Sequence, residues 1–314
     1  MSMTEPKGTV SVQELIAKKS NRGLLAFLDK WMPKILFAIA AVSVLTTIGI
    51  LATLVVETYI FFTHVSVFEY IFGTEWYPFA NSPSYGVLPL VVGTLKITGI
   101  AIAVAVPVGI GTAIYLSEYA SERMRRIIKP VLEVLAGVPT IVYGFFALTF
   151  VTPILRSVFP EISIFNALSP GIVVGIMIIP MIASLSEDAM TSVPSSMREG
   201  AYALGATKFE VALKIVLPAA ISGIVASTVL AISRAIGETM IVAVAAGSTP
   251  GFDWDMTGSI QTMTAYIVQA TTGDAGYGTT NYYSIYAVGF TLFLFTLVMN
   301  MFAQYISKRF REEY

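Results

Sequence analysis

Six stretches of this chain are apolar and free of charge for the length of a bilayer crossing, about 17–25 residues. They are Ile35–Val56, Ile97–Leu116, Val134–Leu155, Leu168–Ser186, Ile215–Ser233 and Ile285–Ile306, and the fifth continues past a charge to Ala246. The apolar runs are continuous rather than alternating, which predicts spanning helices and argues against a β-barrel. Composition agrees: 55% of residues are hydrophobic and 12% charged, about half the charge of a soluble domain. The expected class is an all-α, multi-pass integral membrane protein with six transmembrane helices.

Lys and Arg orient the spans. Lys7, Lys18, Lys19, Arg22, Lys30 and Lys34 precede the first span, and Arg123, Arg125, Arg126 and Lys129 follow the second. Arg198, Lys208 and Lys214 follow the fourth, and Lys308, Arg309 and Arg311 follow the sixth; only Lys96, Arg156 and Arg234 fall elsewhere. The positive-inside rule therefore puts both termini and the 194–218 loop in the cytoplasm. The long basic N-terminal stretch and full-length first run predict an uncleaved anchor rather than a signal peptide.

The N-terminal segment 1–32 is cytoplasmic on this reading. Ser11 with Glu14 could cap a short helix through Lys19. Leu24–Lys34 suits an amphipathic interfacial helix, the plainer alternative being a single belt residue, Trp31. The first transmembrane helix covers 33–62. An aromatic outer loop spans Glu57–Gly86, and a short one spans Arg156–Asn166. In the long loop Gly247–Tyr282, the spacing of Ile260, Met263, Ile267 and Val268 predicts a helix lying on or dipping into the outer surface. Gly99, Pro107, Gly109, Gly111, Gly137, Pro139, Gly144 and Pro180 interrupt the middle spans. They suit either helices bent around a path or close packing through small residues.

No cysteine is present, His64 is the only histidine, and no Gly-x₄-Gly-Lys-Ser/Thr occurs. Thiol chemistry, a cysteine metal site and a P-loop are therefore excluded from this polypeptide. Nothing suggests catalysis or nucleic-acid binding. Glu57, Glu118 and Glu133 fall at segment ends and read as solvated, while Glu187 and Asp188 read as partners for nearby basic residues.

Between Pro194 and Pro218 the sequence runs SSMREGAYALGATKFEVALKIVLP. Ser196 with Glu199 and Thr207 with Glu210 each have capping-box spacing, and Gly205 is placed to end the first helix in a left-handed conformation. The spacing Glu-x-Ala-x₃-Gly-x₉-Ile-x-Leu-Pro, through Glu199, Ala201, Gly205, Ile215, Leu217 and Pro218, resembles the EAA coupling loop of ABC importer permeases. Gly200 stands where that family usually has Ala, and glycine weakens a helix by about 1 kcal/mol.

Arg234 lies mid-span in STVLAISRAIGETMIVAV. An arginine facing lipid there costs at least about 2.5 kcal/mol, so it must face protein or a watery cavity. Four residues on, Glu238 would share its helix face. Either the two form a packing ion pair, or Arg234 attracts an anionic solute through its planar paired donors while Glu238 balances it and accepts a proton-bearing oxygen. Lys96 either extends that positive path or snorkels to the outer interface, and snorkelling is favoured.

The strings LAGVPTIVYGFFAL (135–148), SRAIGETMIVAVAAG (233–247) and WYPFANSPSYGVLPLVVGTL (76–95) resemble permeases of the phosphate-specific ABC importer, the PstC-type subunit rather than its PstA-type partner. The resemblance implies a type I importer permease fold, with a core domain at 87–307 and a cytoplasmic tail at 308–314. It implies two copies of an ABC ATPase gripping the loop, a second PstA-type permease, an external phosphate-binding protein, and lipid around the spans. ATP and Mg belong to the ATPase, so no cofactor is expected on this chain. Glu199–Gly205 would then couple, and Arg234 and Glu238 would line the phosphate path. A sulfate or molybdate importer, or an ATP-independent transporter or channel, are the other readings.

Overall fold

The computed structural model describes residues 23–273 and 275–309. The Ser11–Lys19 helix and residues 310–314 of the tail lie outside them. The chain falls into two compact units, Met1–Thr53 and Leu54–Tyr314. Helix α1 (Gly23–His64) runs from the first into the second without a break, so Leu24–Lys34 is not a separate interfacial helix. Pro33 removes one backbone bond, but in an apolar setting no water competes for the rest and the helix continues. In the first unit its apolar side chains, Phe37 and Leu45 among them, are exposed, as suits a helix covered by lipid.

The second unit opens with α2 (Val67–Phe72) and a two-residue antiparallel ladder, β1 (Trp76–Tyr77) with β2 (Ser84–Tyr85), in which Trp76 faces Tyr85. Helix α3 (Leu88–Ile114) is prolonged by a π-helical turn, Tyr115–Tyr119. Gly99, Pro107, Gly109 and Gly111 do not break it. Helix α7 (Leu168–Thr191) packs along α3. A Cβ on Gly171 would come within 2.7 Å of Ile100, one on Gly175 within 2.9 Å of the Ala101 carbonyl and Val104, and one on Gly109 within 2.8 Å of Ile182. Partner numbers rise together along both helices, so α3 and α7 run parallel. Gly109, Gly171 and Gly175 thus serve close approach rather than bending, whereas Gly99 and Gly111 border open space.

Between them lies α4 (Glu122–Gly137), an amphipathic helix whose first turn is capped by Ser121, the hydroxyl accepting from the Met124 amide. The extended backbone at Val138 and Pro139 ends it, so the third span starts at Thr140, not Val134. That span is α5 (Thr140–Phe146), a π-helical turn Ala147–Val151, and α6 (Thr152–Val158).

After α7 come α8 (Ser195–Ala203), α9 (Lys208–Val211), a π-helical turn Ala212–Val216 and α10 (Leu217–Ala219). The chain then bends by 71° into α11 (Ile221–Ile236). The fifth apolar run is therefore no single helix. Its first residues belong to the 194–218 loop, and beyond Gly237 the chain restarts as α12 (Met240–Ala245). Among the described residues, five helices are long and apolar enough to cross a membrane, or six if the bent segment counts as one span.

Helix α13 (Met263–Thr272) is the predicted outer-loop helix, capped by Thr262. It dips inward: Met263 and Tyr266 are fully buried, and Tyr266 meets Trp76 edge-to-face at 4.8 Å. Helix α14 (Thr280–Arg309) closes the fold.

Candidate functional site

Arg234 stands on α11 at the wall of a cavity of about 340 Å³. The other walls come from Leu116 at the end of span two, Lys129, Leu132 and Glu133 of α4, and Met177, Pro180, Met181 and Ser184 of α7. Among the described residues no carboxylate lies within ion-pair reach of Arg234, and its side chain is exposed on this chain.

Glu238 is not its partner. The helix ends at Ile236, so the expected shared face does not exist. Glu238 is buried, and its Oε1 accepts from the amides of Met240 and Ile241 at 3.1 and 3.2 Å. Its carbonyl accepts from Thr264 Oγ1 at 2.7 Å. Thus the carboxylate satisfies backbone groups freed by the break, which a bilayer requires, while the backbone carbonyl of Glu238 ties the broken span to α13.

Lys96 neither snorkels nor reaches the cavity. Its ammonium is fully buried, donating to Asp253 Oδ1 at 2.9 Å and to the Asp255 carbonyl at 2.8 Å. It pins the loop that carries Asp253 and Asp255 onto span two. The Lys96 ammonium holds the Asp253 carboxyl below the usual carboxylate range. A depressed carboxyl stabilises above its unfolded pKa, so this tie is intact above about pH 3.9 and is lost only as the pH falls through the lower folded value. Lys96→Met is expected to speed hydrogen exchange in the peptide around Asp253–Thr257; unchanged exchange would show that Lys96 does not hold this loop.

The 194–218 loop is a two-helix knob. Pro194, with its extended backbone, takes the cap position of α8, so Ser196 falls inside the helix and the expected Ser196–Glu199 capping box does not form. The far end is as expected. Gly205 has φ +85°, the Gly205 amide donates to the Tyr202 carbonyl at 3.0 Å, and the Ala206 amide donates to the Ala201 carbonyl at 3.1 Å. That is a Schellman motif. The Thr207–Glu210 capping box is complete. Within the motif, Glu199, Gly200, Gly205 and Pro218 face outward, while Ala201, Ile215 and Leu217 pack inward.

The chain matches the family described as binding-protein-dependent transport system inner membrane component over residues 105–312. It belongs to that family. A PstC phosphate transport permease of Xylella fastidiosa is 34% identical over 75% of this chain and 77% of its own length. A PstC 1 permease of Mycobacterium tuberculosis is 34% identical over 72% and 73%. The probable ABC transporter permease YqgH of Bacillus subtilis is 34% identical over 78% and 79%. Among solved structures, a chain of a bacterial ABC transporter that imports alginate has a TM-score of 0.65 at 16% identity, covering 92% of this chain and 99% of that one. The inward-facing methionine transporter MetNI gives 0.54 at 16%, covering 72% and 95%. The fold is that of type I importer permeases, and the protein is a multi-pass transport component of the cytoplasmic membrane.

In this binding-protein-dependent permease two further features escaped the sequence reading. Leu204 is 91% exposed at the tip of the knob, with Phe209 and Tyr202 also exposed beside it. These apolar side chains are exposed on an otherwise polar loop, and LGATKF held that signal in view. Glu118, read as solvated, is buried and bonded to Arg198. Its neighbours in sequence give no hint of that partner 80 residues away. Glu187 does pair as expected, with Arg125 at 3.6 Å and with Lys129, which also reaches Asp188 at 3.4 Å. The bond to Glu187 raises the Lys129 pKa.

Proposed function

We propose that this chain is the PstC-type permease of an ATP-driven importer of inorganic phosphate. The observation that carries the reading is Arg234: a guanidinium deep in a spanning segment, unpaired among the described residues and facing a cavity. Left to lipid it would be costly; facing a water-filled path, it offers two parallel donors to a tetrahedral oxyanion. Similarity to PstC phosphate permeases supports phosphate as that anion.

Arg234's exposure on one chain also calls for a companion to complete the path, a second permease of PstA type. The Leu204 tip and the capped knob suit an ATPase groove, one ATPase copy per permease, with ATP and Mg bound in the ATPases. Basic flanks place the knob and both termini in the cytoplasm, and a binding protein delivers phosphate from outside. The chain itself carries out no hydrolysis.

Reconstitution tests this directly. Proteoliposomes holding the full complex and its binding protein are expected to take up labelled phosphate only with ATP inside the ATPase-facing compartment. Excess unlabelled sulfate or molybdate should leave that uptake unchanged. Competition by either would reassign the solute, and ATP-independent uptake would make the protein a channel or secondary transporter.

A further inference from the structure

The coupling knob is joined to the spans by more than its own backbone. Arg198, the residue before Glu199, turns inward. Its Nε and Nη2 donate to Glu118 Oε1 at 3.2 and 3.1 Å, its Nη1 donates to the Val193 carbonyl at 2.6 Å, and its Nη2 also donates to the Met190 carbonyl at 2.7 Å. Glu118 lies in the π-helical turn that ends span two, and its side chain is 5% exposed. Met190 is in the last turn of α7, span four, and Val193 follows it. One guanidinium therefore fastens α8 to the cytoplasmic ends of both helices of the parallel pair.

The π-helical turn is gripped from its other side as well. Arg125 Nη2 on α4 donates to the Leu116 carbonyl at 2.8 Å and, more weakly, to the Ser117 carbonyl at 3.4 Å. Leu116 is itself a wall of the Arg234 cavity. A displacement of α8 thus reaches the cavity through Arg198, Glu118 and the backbone of the turn that carries Leu116. Apolar contacts between α8 and its neighbours resist compression but slide. A multidentate guanidinium holds direction and distance together, and so transmits pulling as well as pushing.

We propose that Arg198 is a positioning residue for transport: acting through Glu118, it passes movement of the knob to spans two and four and so to the cavity under Arg234. This rests on the ATP-driven reading above. The alternative is that the pair only holds the fold together.

The two are separated in the reconstituted complex by measuring four quantities: copurification of the partners, basal ATP hydrolysis, hydrolysis stimulated by loaded binding protein, and phosphate moved per ATP. Glu118→Gln preserves shape and removes the charge. It is expected to leave assembly and basal hydrolysis intact while lowering phosphate moved per ATP by at least about tenfold, the scale of losing a charge-assisted hydrogen bond in a buried site. The binding-protein concentration giving half-maximal stimulation should not change. Arg198→Met should behave the same way, and Arg198→Lys should recover part of the coupling because an ammonium can still reach one acceptor. Unchanged phosphate per ATP in assembled Glu118→Gln complex overturns the proposal. So does a loss of uptake that merely tracks loss of assembled complex in all three variants, which is the outcome of a purely structural pair. A wild-type complex that assembles and hydrolyses ATP without moving phosphate would instead overturn the functional reading, independently of the variants.

Discussion

Arg234→Gln is expected to abolish ATP-driven phosphate uptake and leave the complex assembled. Glutamine keeps a polar side chain at the cavity wall but removes the charge and the planar pair of donors. No ion pair is broken, because none is made among the described residues. An anion that sheds part of its hydration in the cavity without a countercharge loses several kcal/mol, and each 1.36 kcal/mol is a factor of ten in rate. Uptake should fall at least about a hundredfold. Labelled-phosphate uptake measured beside copurification of the partners checks both halves. Glu238 should behave differently, since its Oε1 serves the Met240 and Ile241 amides. The amide of Glu238→Gln can still accept those bonds, so appreciable uptake should survive. Glu238→Leu cannot, and should damage the break itself. Transport by an Arg234→Leu, Glu238→Leu double variant would remove Arg234 from the path.

The second large effect is expected at the knob. Gly205 has φ +85° with open space where a side chain would sit, so the obstacle to a larger residue is backbone strain alone. A left-handed conformation costs an L-residue roughly 1–2 kcal/mol, and a β-branched one is worst placed to adopt it. Gly205→Val should therefore undo the Schellman turn, displace Leu204 and weaken ATPase attachment, with loss of solute-stimulated hydrolysis and normal membrane insertion. Gly205→Asn, which tolerates this region better, should be intermediate. Normal stimulation in the valine variant would end the coupling role assigned to the turn.

Much of this was legible in the chain. Long apolar runs declare spanning helices because the bilayer forbids unpaired backbone. Gly205 and the Thr207–Glu210 box announced the knob because helix ends are satisfied by local residues. What sequence reading missed depends on contacts or breaks that span pieces distant in sequence. The i,i+4 rule joined Arg234 to Glu238 on an unbroken helix, but Gly237 ends that helix and Glu238 is used up by the next one. Lys96 read as a snorkelling lysine because Asp253 lies 157 residues away, and Glu118 read as solvated because Arg198 lies 80 residues away. Pro194 displaced a capping box whose spacing was right but whose register was two residues late.

The interlocked glycines of α3 and α7 bear on where this molecule can yield. With Gly171, Gly175 and Gly109 pressed against Ile100, Ala101, Val104 and Ile182, the pair has no slack for sliding or for a lipid chain to wedge between. It is a beam. Helix α11, by contrast, is a rod of about 24 Å at 1.5 Å per residue with a joint at each end, the 71° bend at Ala220 and the break at Gly237. A rearrangement that preserves the beam can be taken up at those two joints, and the rod between them carries Arg234.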